Sequence, residues 1–292
     1  MTGENGRENF YQKTVGSKAS TPIEVIDMGL RGFTRKIGIL KDYNANFQCG
    51  QCHNAANRYL TYKWFNDDKP VRPEDLQKAG VSPYATEFFK DPLESWAWFK
   101  SKGWHQGVNG TTGVHYVNGS DHPHVEIMLQ SKHGQAGVTC TDCHFARKAD
   151  GKAEHQPSLV KLKVENTCMR SACHGPGSKS NWTDPGQALY TIEAIQQEYR
   201  IRVQKMEMAA KDAQRIFMKL KAGEASLPQE VKEKLETAYE KYLSARDWYL
   251  TDLSSGFHDP EGFNRTVSVV TWELRKTNAA AQSALKKTPV KQ

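Results

Sequence analysis

The stretch SKHGQAGVTCTDCHF (residues 131–145) sets the interpretation of this sequence, because it contains the pattern Cys140-x-x-Cys143-His144. That pattern is the attachment motif of a c-type haem. Two thiols at this spacing reach the two vinyl groups of one porphyrin, and the next side chain binds the iron through an imidazole nitrogen. A second histidine, His133, lies seven residues before Cys140. Its spacing leaves three roles open: a surface residue, a second ligand of the same haem, or a ligand of another haem.

The six cysteines form three pairs, and a histidine follows the second cysteine of every pair. A zinc site or a redox disulfide would leave these histidines unexplained. The third pair is separated by four residues, a rarer spacing for which a disulfide or a metal knuckle is the alternative. We predict three covalently attached haem c groups, held by Cys49, Cys52 and His53, by Cys140, Cys143 and His144, and by Cys168, Cys173 and His174.

The composition agrees with a chain that encloses large cofactors. Only 38% of the 292 residues are hydrophobic, and apolar porphyrins would supply the missing part of a core. The net charge of +7 would be nearly cancelled by roughly six haem propionates. No basic block or nucleic-acid motif is present, so we expect no nucleic-acid partner. No run approaches the roughly 18 apolar residues that a membrane span needs.

The amino-terminal sequence MTGENGRENF is polar, without the basic start and apolar centre of a signal peptide. Haem is normally attached to cysteines outside the cytoplasm. We therefore expect a periplasmic or otherwise extracytoplasmic protein whose export signal is not visible in this sequence.

The chain divides into three regions by composition. Residues 1–25 are polar and are predicted to form an arm. Residues 26–186 carry the haem motifs among loops, and residues 26–48 are expected to be helical. Residues 187–292 are predicted to form long antiparallel helices that pack on the haem region and on a partner. The expected fold is mostly α with few strands.

A heptad pattern predicts the first long helix over residues 188–222, ended by Gly223. A second helix is expected to begin at a Ser226 cap and to run to about Ser255, and a third to span residues 262–286. Methionines on the first helix are expected to pack in a core or interface rather than bind iron. The heptad positions are Ile192, Tyr199, Met206, Ala213 and Leu220, and the methionines are Met206, Met208 and Met218.

Three segments carry a family likeness: FQCGQCH (47–53), HPHVEIMLQSKHGQAGVTCTDCH (122–144) and FHDPEGFNR (257–265). With the long helices that follow, they resemble the ammonia-forming cytochrome c nitrite reductases and the wider superfamily of octahaem hydroxylamine oxidoreductases. The likeness covers about residues 25–285. The order of the motifs resembles the last three haem sites of the pentahaem nitrite reductases.

The resemblance implies ligand roles beyond the motifs. His133 would bind the iron above His174, and His258 would lie opposite His144. His155 resembles the ligand of a haem that this chain does not encode. It would then be donated to a haem on another subunit, the alternative being a solvated loop residue. His122 resembles the active-site histidine that faces nitrite.

The sequence also departs from the family pattern. No CxxCK site is present, and the calcium-binding Glu and catalytic Tyr expected after His53 are replaced within residues 54–57. The family has a Lys and a Gln as calcium ligands near the active-site histidine, and this sequence has Gly119 and Asp121 at those positions. Four alternatives remain for the distal position of the first haem: His105, His115, a residue of a partner chain, or no ligand.

These observations favour a trihaem electron-transfer subunit of a larger multihaem complex, with another cytochrome subunit or a second copy as partner. A bis-histidine haem has no free iron position for substrate. The first alternative is one part of a split nitrite- or hydroxylamine-type oxidoreductase, with the catalytic haem on a partner or at the first site. The second is a subunit of a haem-linked filament.

Overall fold

The computed structural model describes residues 24–30, 33–39, 46–49, 53, 89–101, 107–117, 123–145 and 157–287. The predicted mostly α fold is confirmed. In chain order the elements are β1 (Glu24–Leu30), β2 (Phe33–Ile39), α1 (Asn46–Cys49), α2 (Pro92–Ser101), β3 (Gly107–Val108), β4 (His115–Tyr116), α3 (His124–Gln130), α4 (Lys132–Gln135), α5 (Cys140–His144), a 3-10 helix (Pro157–Lys163), α6 (Val164–Thr167), α7 (Pro185–Lys221), α8 (Gln229–Leu250) and α9 (Pro260–Lys287).

The first long helix, α7, begins and ends at strong local signals. Asp184 caps its amino terminus, and the Gly186 N–H donates to the Asp184 carboxylate at 2.9 Å. Pro185 occupies the first turn, where its missing N–H leaves no hydrogen bond unmade. The helix ends before Gly223, whose φ of +74° is left-handed. The predicted boundaries of this helix agree with the structure.

The boundaries of the other two long helices differ from expectation. Helix α8 is preceded by Pro228 at the cap position, so the prediction that Ser226 caps it is wrong. It ends at Leu250 rather than near Ser255. The reason is Asp252, whose carboxylate accepts hydrogen bonds from the Ser254 and Gly256 N–H groups, both at 3.1 Å, and so organises a loop.

The core lies mainly between the long helices. Helix α9 packs against both α7 and α8, and α8 also packs against α2. The heptad residues of α7 contribute to this core, and Met206 is fully buried. Met208 and Met218 are exposed, so they do not pack in the core of this chain, and the expected interface packing stays a prediction for them.

Strands β1 (Glu24–Leu30) and β2 (Phe33–Ile39) pair antiparallel, with Leu30 opposite Phe33 and Glu24 opposite Ile39. The expectation of a helix over residues 26–48 is therefore wrong for most of that range. Among the residues of that range that the structure describes, only those of α1 are helical. The segment is rich in β-branched residues, which favour strands once a partner strand is available. A second short hairpin pairs Val108 with His115.

Within the part of the chain that the structure describes, no helix is long and apolar enough to cross a membrane.

Candidate haem-binding site

The second cysteine motif lies on α5, a single helical turn with its own cap. The Thr139 N–H and hydroxyl both donate to Asp142 at 2.8 Å. Asp142 also accepts a hydrogen bond from Arg170 in the third motif at 3.3 Å. Although burial opposes ionisation, the Thr139 and Arg170 contacts lower the pKa of the Asp142 carboxyl. This carboxylate therefore joins the second and third motifs.

Asn46 joins the first motif to the second. The Cys140 N–H donates to the Asn46 side-chain oxygen at 2.7 Å, and Asn46 is itself buried at the start of α1. Cys140 and Cys49 contact each other through their side chains. Two motifs that are about ninety residues apart in sequence are thus held side by side.

Burial governs the chemistry of the cysteine thiols. It raises the pKa of Cys140 to about 12, with the nearby Cys49 adding to the effect, and it raises the pKa of Cys143 to about 11, with Cys168 adding to the effect. Redox-active Cys-x-x-Cys motifs have lowered thiol pKa values. The environment of these cysteines therefore does not favour a redox disulfide.

The third site brings together two histidines that are distant in sequence. The ring centres of His133 and His174 lie 5.9 Å apart, with the rings perpendicular. His133 is on α4, where the Gly134 N–H donates to the Ser131 hydroxyl at 2.9 Å. Burial lowers the pKa of His133, with His174 and His258 adding to the effect. The neutral imidazole is the form that binds a metal.

The His174 ring is fixed from two sides. Its Nδ1 forms a hydrogen bond with the Ser180 hydroxyl at 2.9 Å, and the ring stacks on Trp182 with centres 4.5 Å apart. A hydrogen bond at one imidazole nitrogen orients the other nitrogen for ligation.

The second site pairs His144 with His258. Their ring centres lie 6.1 Å apart at an interplanar angle of 65°. His258 Nδ1 forms a hydrogen bond with Asp252 Oδ1 at 3.0 Å. Burial would raise the pKa of Asp252, but the hydrogen bond and charge of His258, together with Ser254, hold it at about 2. The buried carboxylate is therefore ionised at neutral pH and orients His258.

The spacing of both histidine pairs fits ligation of one iron from opposite sides. An imidazole nitrogen binds a metal such as zinc at about 2.0–2.1 Å, and its ring centre lies roughly 1.1 Å further out, which gives about 6.3 Å between opposed ring centres. The observed 5.9 Å and 6.1 Å are close to this value. Two nitrogens suit a haem iron, because the porphyrin supplies the other four ligands.

The first site has one additional histidine that the sequence did not single out. His124 lies with its ring centre 5.4 Å from that of His53, at an interplanar angle of 79°. The same ring lies 5.7 Å from that of His258. Only the order His122-Pro123-His124 could have drawn attention to it, and sequence spacing does not relate it to His53.

The remaining predicted residues are not brought together by the described part of the structure. His115 lies exposed on β4, a strand that packs against α8. Cys52, His105, His122 and His155 fall outside the described residues, as do residues 54–57, Gly119 and Asp121.

Residues 45–292 match the family model of cytochrome c552. The match covers most of the chain, so the chain belongs to the cytochrome c552 family, whose members carry covalently bound haem c. With its repeated attachment motifs it is a multihaem c-type cytochrome.

The chain is similar to cytochrome c-552 of Bacteroides thetaiotaomicron, with 26% identity over 138 residues, 43% of this chain and 22% of that protein. It is similar to the cytochrome c nitrite reductase subunit NrfA of Nitratidesulfovibrio vulgaris, with 24% identity over 73% of this chain and 40% of that protein. The fold is similar to that of the cytochrome c nitrite reductase from Desulfovibrio desulfuricans, with a TM-score of 0.59 and 18% identity over 88% of this chain and 59% of that chain.

These matches confirm the resemblance to the nitrite reductase superfamily. The chain spans between about a fifth and three fifths of the length of these relatives.

Proposed function

We propose that the chain is a trihaem c-type cytochrome that relays electrons within a larger multihaem redox complex. The observation that carries this proposal is the pairing of His133 with His174 and of His144 with His258, at ring-centre distances of 5.9 Å and 6.1 Å. Two imidazoles fill both axial positions of an iron, and a haem so ligated exchanges electrons without binding substrate.

Close contact between the motifs supports a relay. Cys140 contacts Cys49, and the thiols of Cys143, Cys168 and Cys173 are near enough to influence one another. Haems attached at these cysteines would lie close together. Electrons would pass between neighbouring haems along the chain.

The proposal includes a partner, an extracytoplasmic location and two regions. In this proposal residues 26–186 are the haem region, and residues 187–292 contact another multihaem subunit or a second copy. His155 is donated to a haem of that partner. The long helices expose large apolar side chains that suit such a contact, among them Tyr190, Met208 and Trp272.

The proposal is tested on the protein matured with haem. Intact mass should show three haems per chain, and the ferric spectrum should be low-spin at the second and third sites. Nitrite, hydroxylamine and cyanide should leave those two sites unchanged. A mass showing fewer than three haems would overturn the trihaem assignment.

A second candidate function is one part of a split nitrite- or hydroxylamine-type oxidoreductase. It is favoured by the similarity to a nitrite reductase subunit over 73% of the chain. The catalytic haem would be the first haem here or would belong to a partner, and His122 would line the active site. A high-spin haem that binds nitrite or hydroxylamine in the assembled complex would support this function over electron relay.

A further inference from the structure

We propose that His124 is the sixth ligand of the iron at the first haem site, opposite His53. This inference rests on the proposed function, because it takes a haem at Cys49 and Cys52 as given. The sequence left the distal ligand of this haem open between His105, His115, a partner chain and a vacant position. The proposal assigns that position to one residue of this chain.

The order of the histidines in the sequence limits which residues can be this ligand. Residues 1–52 contain no histidine, so a distal histidine among the residues of this sequence comes from a segment after His53. Helix α3 is a later segment that reaches the first motif, and it packs against α1. Its first residue is His124.

The geometry of the two rings resembles that of the other two pairs. The centres of His53 and His124 are 5.4 Å apart, against 5.9 Å and 6.1 Å at the third and second sites. The steep interplanar angle of 79° is also similar, since the other pairs have 90° and 65°. Widening the first pair to about 6.3 Å, the separation of opposed imidazoles on one metal, needs a shift of roughly 1 Å.

His124 is held at this position by backbone and burial. The Val125 N–H donates to the carbonyl oxygen of His53 at 3.2 Å, so the residue after His124 is tied directly to the residue it would face. Val125 is fully buried and Ile127 is 5% exposed, which anchors the helix beneath the ring. The placement therefore comes from packing rather than from a loose loop.

His258 is the competing partner, because its ring centre lies 5.7 Å from that of His124. His258, however, already faces His144, the proximal histidine of the second motif. Its Nδ1 is also engaged by Asp252. Assigning His258 to the second site and His124 to the first gives each of the three motif histidines one opposing imidazole.

The assignment has a chemical consequence. With His124 bound, the first iron has six ligands and no position for nitrite or another substrate. The same chain could then relay electrons through all three sites without side reactions at an open iron.

The test compares His124→Ala with His115→Ala in the haem-loaded protein. We expect the wild type to be wholly low-spin, and His124→Ala to keep three haems by mass while about one third of its ferric haem becomes high-spin. Added imidazole should restore the low-spin form, and cyanide should bind at the vacated position. His115→Ala should match the wild type. A His124→Ala protein that stays wholly low-spin would overturn the assignment.

A double variant separates the first site from the second. His258→Ala alone should also make about one third of the haem high-spin, and the double variant should reach about two thirds if the two histidines serve different irons. A double variant that stays at one third would show that only one iron has lost its distal ligand and would refute the assignment. If His124→Ala does not fold, His124→Met supplies a second test with a different readout: a thioether ligand keeps the iron six-coordinate, so the potential of one haem should rise while the spin state stays low.

The outcome is distinguishable from failure of the proposed function. Fewer than three haems by mass in the wild type would remove the trihaem function. A wild type with three haems, one of them already high-spin, would remove only the role of His124.

Discussion

At the scale of single residues, glycines fix the histidines of the third site. A Cβ atom at Gly134, beside His133, would come within 2.0 Å of the Met128 carbonyl oxygen. A Cβ atom at Gly175, beside His174, would come within 1.9 Å of the Met169 carbonyl oxygen. Any side chain at these positions would push backbone aside. Both imidazoles are therefore placed by close backbone contact at the neighbouring residue.

Replacing His133 with alanine should alter the third haem and leave the second unchanged. The ring of His133 faces His174, whereas the second site uses His144 and His258. Loss of one imidazole leaves a five-coordinate, high-spin iron, so about one third of the ferric haem should change spin state. Electron paramagnetic resonance of the haem-loaded variant measures this.

His258→Ala is the matched control for that experiment, since it removes the distal imidazole of the other site. The two variants should show different high-spin signals. Identical signals would contradict the assignment of His133 to the third haem.

The sequence predicted the residues of this site unevenly. The cysteines and the histidines directly after them follow from local spacing, because one porphyrin dictates that spacing. The pairing of His133 with His174 needed a family resemblance. His124 could not be predicted, because its closeness to His53 arises from the packing of α3 on α1, two elements about eighty residues apart.

At the scale of elements, the long helix α7 is stabilised by one buried face. Met206 is fully buried in the seam against the other long helices, whereas Met208, two residues later, is 62% exposed. Two residues on a helix are about 200° apart, so neighbouring methionines face opposite sides. The core therefore depends on one face of α7, which includes Met206, and Met208 lies on the opposite face.

Met206→Ala should destabilise the protein by about 2–5 kcal/mol, because it leaves a cavity in a packed core. Met208→Ala is the natural control and should change the free energy of unfolding by no more than about 0.5 kcal/mol. Chemical denaturation of the haem-loaded protein, followed by far-UV circular dichroism, measures both. Equal effects of the two substitutions would contradict the assigned face.

Heptad periodicity predicted the long helices, since a buried stripe on a helix repeats in the sequence. It could not predict where α8 ends, because that end is decided by the Asp252 side chain and its hydrogen bonds to the following loop. The hairpin of β1 and β2 escaped prediction for a related reason. Strand formation depends on a partner strand, and the β propensity of one segment does not show whether such a partner is available.

At the scale of the whole molecule, the larger hydrophobic core and the haem motifs occupy different parts of the chain. That core draws on the long helices, α2, Ile127 of α3 and residues beside the short hairpin of β3 and β4, and it includes none of the described motif cysteines. A smaller cluster of Val164, Ala188 and Ile192 packs with Cys168 of the third motif. The helices can thus bury apolar surface without a cofactor, whereas the haem region relies on its haems.

The chain made without haem should therefore keep most of its helical circular dichroism but lose order around the cysteine motifs. Hydrogen exchange should remain slow in α7, α8 and α9 and become fast in α4 and α5, which have no buried residues of their own. A haem-free chain that loses its helical signal altogether would contradict this separation.

The contact between Cys49 and Cys140 has a consequence for biogenesis. Burial and the nearby Cys49 raise the pKa of the Cys140 thiol, so the folded chain disfavours its reactive thiolate at neutral pH. We therefore expect haem attachment at Cys140 to come before α1 packs against α5. A chain in which α1 packs against α5 too early would keep the Cys140 thiol protonated and without an attached haem.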